Sequence, residues 1–285
     1  MTIGFERITI IGVGLLGASL GLALKKRGSK AAITGVGRRQ ESLDTALRLG
    51  AVDTASLDPL EASLEADLVV IATPVQQVIP LLELLAPRLS PQCLILDVAS
   101  VKKDICAHAR RLFPLPRRFV GCHPMAGSEK SGPEHGNADL YEGTVCLLEC
   151  SDDLAEETLA EARSFWEFVG TRVIEMDPAQ HDDFLARTSH LPHVAAAAVA
   201  QIVHDSGASR SMIGQGFLDV TRIAASRAEI WRDISLSNRE ALLGAIRELR
   251  NSLDAFESAL EKSDAREVEA FFVKAAEARH KVISS

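Results

Sequence analysis

His123 is the residue whose type and setting most directly offer chemistry in this 285-residue chain. It stands in Gly121-Cys122-His123-Pro124-Met125-Ala126-Gly127-Ser128-Glu129-Lys130-Ser131-Gly132, after the short apolar run Arg118-Phe119-Val120, which reads as a strand. The proline and glycine that follow break regular structure, so the sequence predicts the histidine on a loop at a strand end. Open α/β folds keep their reactive groups in such loops. An imidazole there takes or gives a proton near neutral pH. The competing expectation is a structural histidine in a tight turn.

A second cluster lies in the other half of the chain. Ser189-His190-Leu191-Pro192-His193 sets two imidazoles three positions apart, and Asp219-Val220-Thr221-Arg222-Ile223-Ala224 follows. Arg222 falls in an otherwise apolar segment, where a guanidinium is costly to bury unless a carboxylate meets it. That carboxylate is either Asp219, as a structural bridge, or a substrate group. His181, His190, His193 and His204 could suggest metal, but no Cys or Asp/Glu stands at a familiar ligand spacing, so no metal is expected.

These groups need a frame. Arg7-Ile8-Thr9-Ile10-Ile11 is a β-branched run, the signature of a buried parallel strand, and Gly12-Val13-Gly14-Leu15-Leu16-Gly17 follows it directly. A helix then runs to Lys25-Lys26-Arg27-Gly28. Strand, G-x-G-x-x-G and helix together predict a dinucleotide site. Gly12 permits the tight turn, Gly14 lets the backbone N–H groups of this turn approach a pyrophosphate, and Gly17 lets helix pack on strand. The second strand, Ala32–Val36, ends in Gly37-Arg38-Arg39-Gln40, where an NAD site would carry Asp or Glu. Arginines there suit a 2′-phosphate, so NADP is favoured, with NAD possible. The strand Asp67–Ala72 delivers Thr73 and Pro74 to the cofactor's side. Cys93–Val98 is a further strand, and Ser100 is placed to cap the helix after it. Thr144–Glu149 and Arg172–Glu175 read as later strands around a helix over 153–169.

After Asp177-Pro178 strand signals cease and alanine-rich helical patterns take over. Helices are predicted over 179–204, with Pro192 kinking or breaking the first, then over 211–225, 236–261 and 265–283. The fold class is therefore α/β: a doubly wound (Rossmann) dinucleotide-binding domain over 1–175, followed by an all-α domain over 176–285. Helical hairpins this short cannot bury such apolar faces alone, so homodimerisation through the second domain is expected. The net charge of −8 argues against nucleic acid and anionic membranes as partners. No apolar run is long enough to span a bilayer. Five cysteines, with no C-x-x-C pair, read as free thiols in a reducing compartment; with no signal peptide in view, a cytoplasmic location is expected.

With these residues in hand, the chain resembles the prephenate/arogenate (cyclohexadienyl) dehydrogenases of tyrosine biosynthesis over essentially its whole length. The resemblance rests on Gly12–Gly17, Asp97-Val98-Ala99-Ser100-Val101-Lys102, the stretch His123–Gly132, Ser189–His193 and Asp219–Ala224, in that order and spacing. It implies oxidative decarboxylation of a dianionic cyclohexadienol, with hydride passing to NAD(P)+. In that reading His123 is the base and Ser100 hydrogen-bonds near the reacting hydroxyl. Arg222 grips a substrate carboxylate, and His190, His193, Gly127 and Ser128 line the same pocket. Gly12, Gly14, Leu15, Leu16, Gly17, Arg38, Arg39, Thr73, Pro74 and Ser100 hold the cofactor. Two other readings compete. A β-hydroxyacid dehydrogenase of the same plan would need a lysine on the first helix of the second domain, and 176–204 contains none. A catalytically silent NADP-binding sensor would need neither a base at 123 nor a buried cation at 222.

Overall fold

The computed structural model describes residues 3–128 and 130–284; Glu129, within the His123 stretch, lies outside them. The chain divides into two compact units, Met1–Asn238 and Arg239–Ser285.

The first unit is built on six parallel strands: β1 (Arg7–Ile11), β2 (Ala32–Val36), β3 (Thr54–Ser56), β4 (Leu68–Ile71), β5 (Leu94–Asp97) and β6 (Phe119–Val120), in the order β3-β2-β1-β4-β5-β6. The short β3, absent from the sequence expectation, pairs with β2 at the sheet edge. Alternation along the strands explains why both faces are dry. Ile8, Ile10, Leu68, Val70, Leu94 and Leu96 point to one side, while Ile11, Val69, Ile71 and Ile95 point to the other. The first side is covered by α1 (Leu15–Lys26) and α5 (Glu156–Val169) through Leu20, Leu24, Phe165 and Trp166, and α2 (Gln40–Arg48) adds Leu43 and Ala46. The second side is covered by α3 (Val78–Leu85) and α4 (Lys103–Leu112) through Val78, Leu82, Leu85 and Ile105.

The later strands do not extend this sheet. β7 (Cys122–Pro124), β8 (Val145–Glu149) and β9 (Arg172–Met176) form a second sheet of three, with β7 antiparallel to β8 and β8 parallel to β9. Gly121 hands the chain from β6 to β7, and only glycine fits: a Cβ there would meet Cys106 Sγ at 2.6 Å. His123 therefore lies on a strand, registered opposite Leu147, rather than on the predicted loop. Pro124 ends that strand, and its missing N–H costs little at a sheet edge.

The helical part begins with α6 (Pro178–Leu185), capped by the Asp177 side chain on the N–H groups of Ala179 and Gln180. A π turn (Ala186–His190) and α7 (Leu191–Asp205) follow without a break. Pro192 was expected to kink or break this helix. It falls instead in the first turn of α7, where its missing N–H is tolerated, directly after the widened π turn. The segment predicted as a helix over 211–225 is a 3-10 turn (Arg210–Met212), α8 (Gln215–Thr221) and a second 3-10 turn (Arg222–Ala225). α9 (Ala228–Ser237) completes the first unit. The second unit is a hairpin of α10 (Arg239–Glu261) and α11 (Ala265–Ser284), with Phe256 against Phe271 and Phe272 at its centre.

Candidate active site

The glycine turn after β1 forms a cradle at the carboxyl edge of the large sheet. Gly12 has φ +106°, and a Cβ there would stand 2.5 Å from the carbonyl oxygen of Ala72; at Gly17 it would meet the Gly12 carbonyl oxygen at 2.1 Å. Both positions are forced to glycine by close packing. Gly14 is different, since nothing lies within 4 Å of where its Cβ would be. The space beside it is open, and α1 begins there with no side-chain cap. Its first intrahelical bond is donated by the Ala18 N–H to the Gly14 carbonyl, so the amides of Leu15, Leu16 and Gly17 precede the ladder. An uncapped helix N-terminus facing open space is a phosphate site by charge and by hydrogen bonding. The residues present thus fit the pyrophosphate of a dinucleotide.

Around the cradle, Arg38 and Arg39 are exposed just beyond β2 and make no ion pair among the described residues. Glu41 and Asp44 are already inside α2. Thr73 follows β4, its Oγ1 buried without a hydrogen-bond partner among the described residues, and exposed Pro74 starts a 3-10 turn.

The cluster around His123 is assembled from distant segments. His123 is 8 % exposed, and its Nδ1 lies 2.9 Å from Nε2 of His181 on α6. His181 Nδ1 lies 2.8 Å from the Asp182 carboxylate. The proton positions follow from the end of the line. An ionised carboxylate only accepts, so His181 carries its hydrogen on Nδ1 and offers the Nε2 lone pair. His123 must then donate from Nδ1, which leaves its own Nε2 as the free lone pair. Asp182 is fixed in turn by the backbone N–H groups of Lys102 (2.7 Å) and Lys103 (3.0 Å) at the start of α4. This corrects the expectation for Ser100: the cap of α4 is Asp182, 80 residues away, and α4 makes no local side-chain cap bond. Ser100 is half-buried in the turn after β5.

Charge sets the protonation of the line. Burial pushes the His123 imidazole well below its ordinary 6.5, with His181, Lys102 and His190 adding to the fall. Burial also lowers His181, against the pull of Asp182. Lys102 is fully buried and paired with Asp97; burial works to neutralise it, but the Asp97 carboxylate outweighs this and holds it protonated. Asp97 also accepts from the N–H of Ala99 (2.9 Å) and of Cys122 (3.0 Å), so it ties the end of β5 to the start of β7.

The remaining expected residues divide. His190 is 1 % exposed, and burial lowers its imidazole to about 4. His193 donates from Nδ1 to the Ser189 carbonyl (2.9 Å) and stacks on Trp231 with ring centroids 3.5 Å apart. Gly127 and Ser128 are exposed on the loop after β7, where Ser128 Oγ accepts from the Lys130 N–H. Arg222 departs most from expectation. It is exposed, has no ion pair or hydrogen bond among the described residues, and makes no bridge to Asp219, whose carboxylate takes Gln215 instead (2.7 Å). The cation expected to be buried at 222 is instead exposed, on the 3-10 turn that follows α8, and its charge lies near enough to His193 to help lower that imidazole's pKa, after burial. Sequence reasoning missed His181 as a partner of His123, together with Asp182 and Asn238. His-Asp at 181–182, directly after a helix start, was the available signal for the first two.

A glycine turn open for a phosphate on a parallel sheet of this order, followed by a buried histidine held by a second histidine and a carboxylate, is the plan of a dinucleotide-dependent dehydrogenase. The family is more particular. The nucleotide-binding domain of prephenate dehydrogenase matches residues 20–175, and the dimerization domain of prephenate dehydrogenase matches 177–274. The chain belongs to the prephenate dehydrogenase family. It is 32 % identical to a prephenate dehydrogenase of Bacillus subtilis over 96 % of this chain and 75 % of that one. Prephenate dehydrogenase of Aquifex aeolicus, solved with hydroxyphenyl propionate and NAD+, superposes with a TM-score of 0.89 at 30 % identity, covering 99 % of this chain and 100 % of that one. Synechocystis arogenate dehydrogenase superposes at 0.83 with 30 % identity, covering 97 % and 99 %.

Proposed function

We propose that this chain oxidises and decarboxylates a dianionic cyclohexadienol, prephenate or arogenate, to 4-hydroxyphenylpyruvate or tyrosine. The observation that carries the reading is the line Asp182–His181–His123, which leaves a neutral imidazole with its lone pair on Nε2 at the edge that also bears the phosphate cradle. His123 Nε2 takes the proton of the C4 hydroxyl. A nicotinamide dinucleotide, held by the glycine turn and the amides of Leu15, Leu16 and Gly17, would supply the acceptor for the hydride that leaves C4. The carboxylate at C1 then leaves as carbon dioxide, and its bonding electrons complete the aromatic ring. The C4 oxygen, now phenolic, recovers a proton from His123. The imidazolium that forms in between is stabilised through His181 by the Asp182 carboxylate.

Ser100 supports the reacting hydroxyl, and His190, His193, Gly127, Ser128 and Arg222 surround the substrate, Arg222 meeting a carboxylate. Gly12, Gly14 and the amides of Leu15, Leu16 and Gly17 hold the pyrophosphate, with Thr73 and Pro74 at the nicotinamide end. The exposed pair Arg38-Arg39 and the missing acid after β2 support NADP over NAD. The division near residue 175 separates the dinucleotide-binding part from the helical part. The match to a dimerization domain over 177–274 supports a homodimer formed through those helices. Among the described residues no helix is long and apolar enough to cross a membrane.

The test is a spectrophotometric assay with prephenate and with arogenate, each with NAD+ and with NADP+. Reduction of NADP+ that requires one of the two cyclohexadienols is the expected result. No reduction in any of the four combinations overturns the reading.

A further inference from the structure

Asn238 closes α9, with its N–H on the Ile234 carbonyl (2.9 Å), and is 5 % exposed. Its side-chain Nδ2 makes two contacts: 2.7 Å to the backbone carbonyl oxygen of Asp182 and 3.1 Å to Nδ1 of His190. A carbonyl only accepts, so the atom facing it is the amide nitrogen and not its oxygen. That nitrogen has two hydrogens and no lone pair to offer. Its second hydrogen is given to His190 Nδ1, which must therefore be the bare nitrogen of the ring. The ring proton sits on Nε2.

His190 Nε2 is buried and has no hydrogen-bond partner among the described residues. A buried donor left unpaired is costly, so its retention asks for a ligand. The ring sits at the end of the π turn that leads into α7, a distortion frequent at functional sites. It stands edge-on to Trp231 (centroids 6.1 Å, 73°), on whose face His193 stacks, and its charge state is felt by His123. The donor therefore belongs to the cluster that holds the base.

We propose that Asn238 is a positioning residue that locks His190 in the Nε2–H tautomer, making it a fixed, neutral hydrogen-bond donor to an oxygen of the bound substrate. This rests on the reading of the pocket as the cyclohexadienol site. Because the same amide also holds the Asp182 carbonyl, one side chain fixes the donor and the carboxylate end of the His123 line relative to each other.

The test reads the imidazole nitrogens directly, by long-range 1H–15N spectra of the full chain labelled with 15N-histidine. His190 is assigned by its loss in His190→Gln, and hydroxyphenyl propionate is the probe ligand in the presence of cofactor. The wild type should show a neutral Nε2–H ring whose signal moves on saturation with the probe. Asn238→Ala should mix the two tautomers and, since only the Nε2–H form donates, raise the probe's Kd by the inverse of the Nε2–H fraction that remains, about twofold for an equal mixture, with cofactor Kd unchanged. Asn238→Asp, which presents an acceptor to Nδ1, should move the ring proton from Nε2 to Nδ1. A wild-type ring protonated on Nδ1 overturns the proposal, as does a His190 signal that ignores the bound probe or an Asn238→Ala ring that keeps the single Nε2–H tautomer. Should Asn238→Ala fail to fold, the wild-type spectra decide. Turnover is not used: a chain that gives these spectra but oxidises neither cyclohexadienol keeps the lock and loses the reaction.

Discussion

His123 and Arg222 stand out equally in the sequence, yet the fold holds them in opposite ways. His123 is buried on a strand, bonded to His181, and through it to a carboxylate fixed by two backbone amides. Its position and tautomer are determined before any ligand arrives. Arg222 is exposed on a 3-10 turn and bonded to nothing among the described residues. A base needs a fixed tautomer and a set pKa, which only buried neighbours supply. A cation that meets an incoming carboxylate needs none of this beforehand, because the ligand brings the partner. On the proposed reading, the contrast separates a residue whose loss should strike the chemical step from one whose loss should strike binding.

The largest effect expected is at the base. His123→Asn should lower kcat by about two orders of magnitude or more, with KM for the cofactor unmoved. Near-normal turnover would remove His123 from the mechanism and leave the comparison without its first half. Arg222→Ala should weaken substrate binding by about 2–5 kcal/mol while leaving thermal stability within about 0.5 kcal/mol, since no internal partner is stranded. Arg222→Lys should fall between, keeping the charge without the planar fork. A clear drop in melting temperature with substrate KM unchanged would assign Arg222 to the fold.

Asp182→Asn sharpens the first half. An amide can turn its donor toward His181 and invert the tautomer of the line, so kcat should fall about tenfold to a hundredfold with substrate KM little changed. Because Asp182 also caps α4, melting temperature should fall as well, by the equivalent of about 1–2 kcal/mol. A variant that loses stability but keeps kcat would reduce Asp182 to a cap. The smallest effect is at the cofactor's edge. Arg38→Asp should shift the ratio of kcat/KM from NADP toward NAD by about tenfold or more, through the lost cation and the added repulsion of a 2′-phosphate. An unchanged ratio would detach Arg38 from cofactor choice.

What the sequence disclosed follows the range of the interactions concerned. The cradle was legible because strand, turn and helix are consecutive; the close packing of Gly12 against the Ala72 carbonyl, from the end of a different strand, was not. His123 was legible as a type of residue. The partner that fixes it was not, since His181 lies 58 positions on and no periodicity links the two. The cap of α4 was given to Ser100, the nearest suitable side chain, whereas tertiary packing brings Asp182 across 80 positions. Strand patterns were read over 144–149 and 172–175, but a strand's residues do not say which sheet it joins; Gly121, a close-approach site, makes the handover. Arg222 was expected to be buried because its neighbours are apolar, and α8 ends one residue before it.

The pH dependence of kcat/KM tests the central claim, that His123 stands neutral and poised as the base. This parameter reports the free enzyme's groups, and only the unprotonated imidazole accepts the hydroxyl proton. Burial and the neighbouring Lys102 lower the pKa of His123, so protonation, and with it the loss of activity, comes at more acid pH than for a free histidine. The profile should stay flat as pH falls through about 6.5 and decline only well below it. An acid limb centred at or above 6.5 would contradict the account, for the base would then titrate as an ordinary or carboxylate-stabilised histidine.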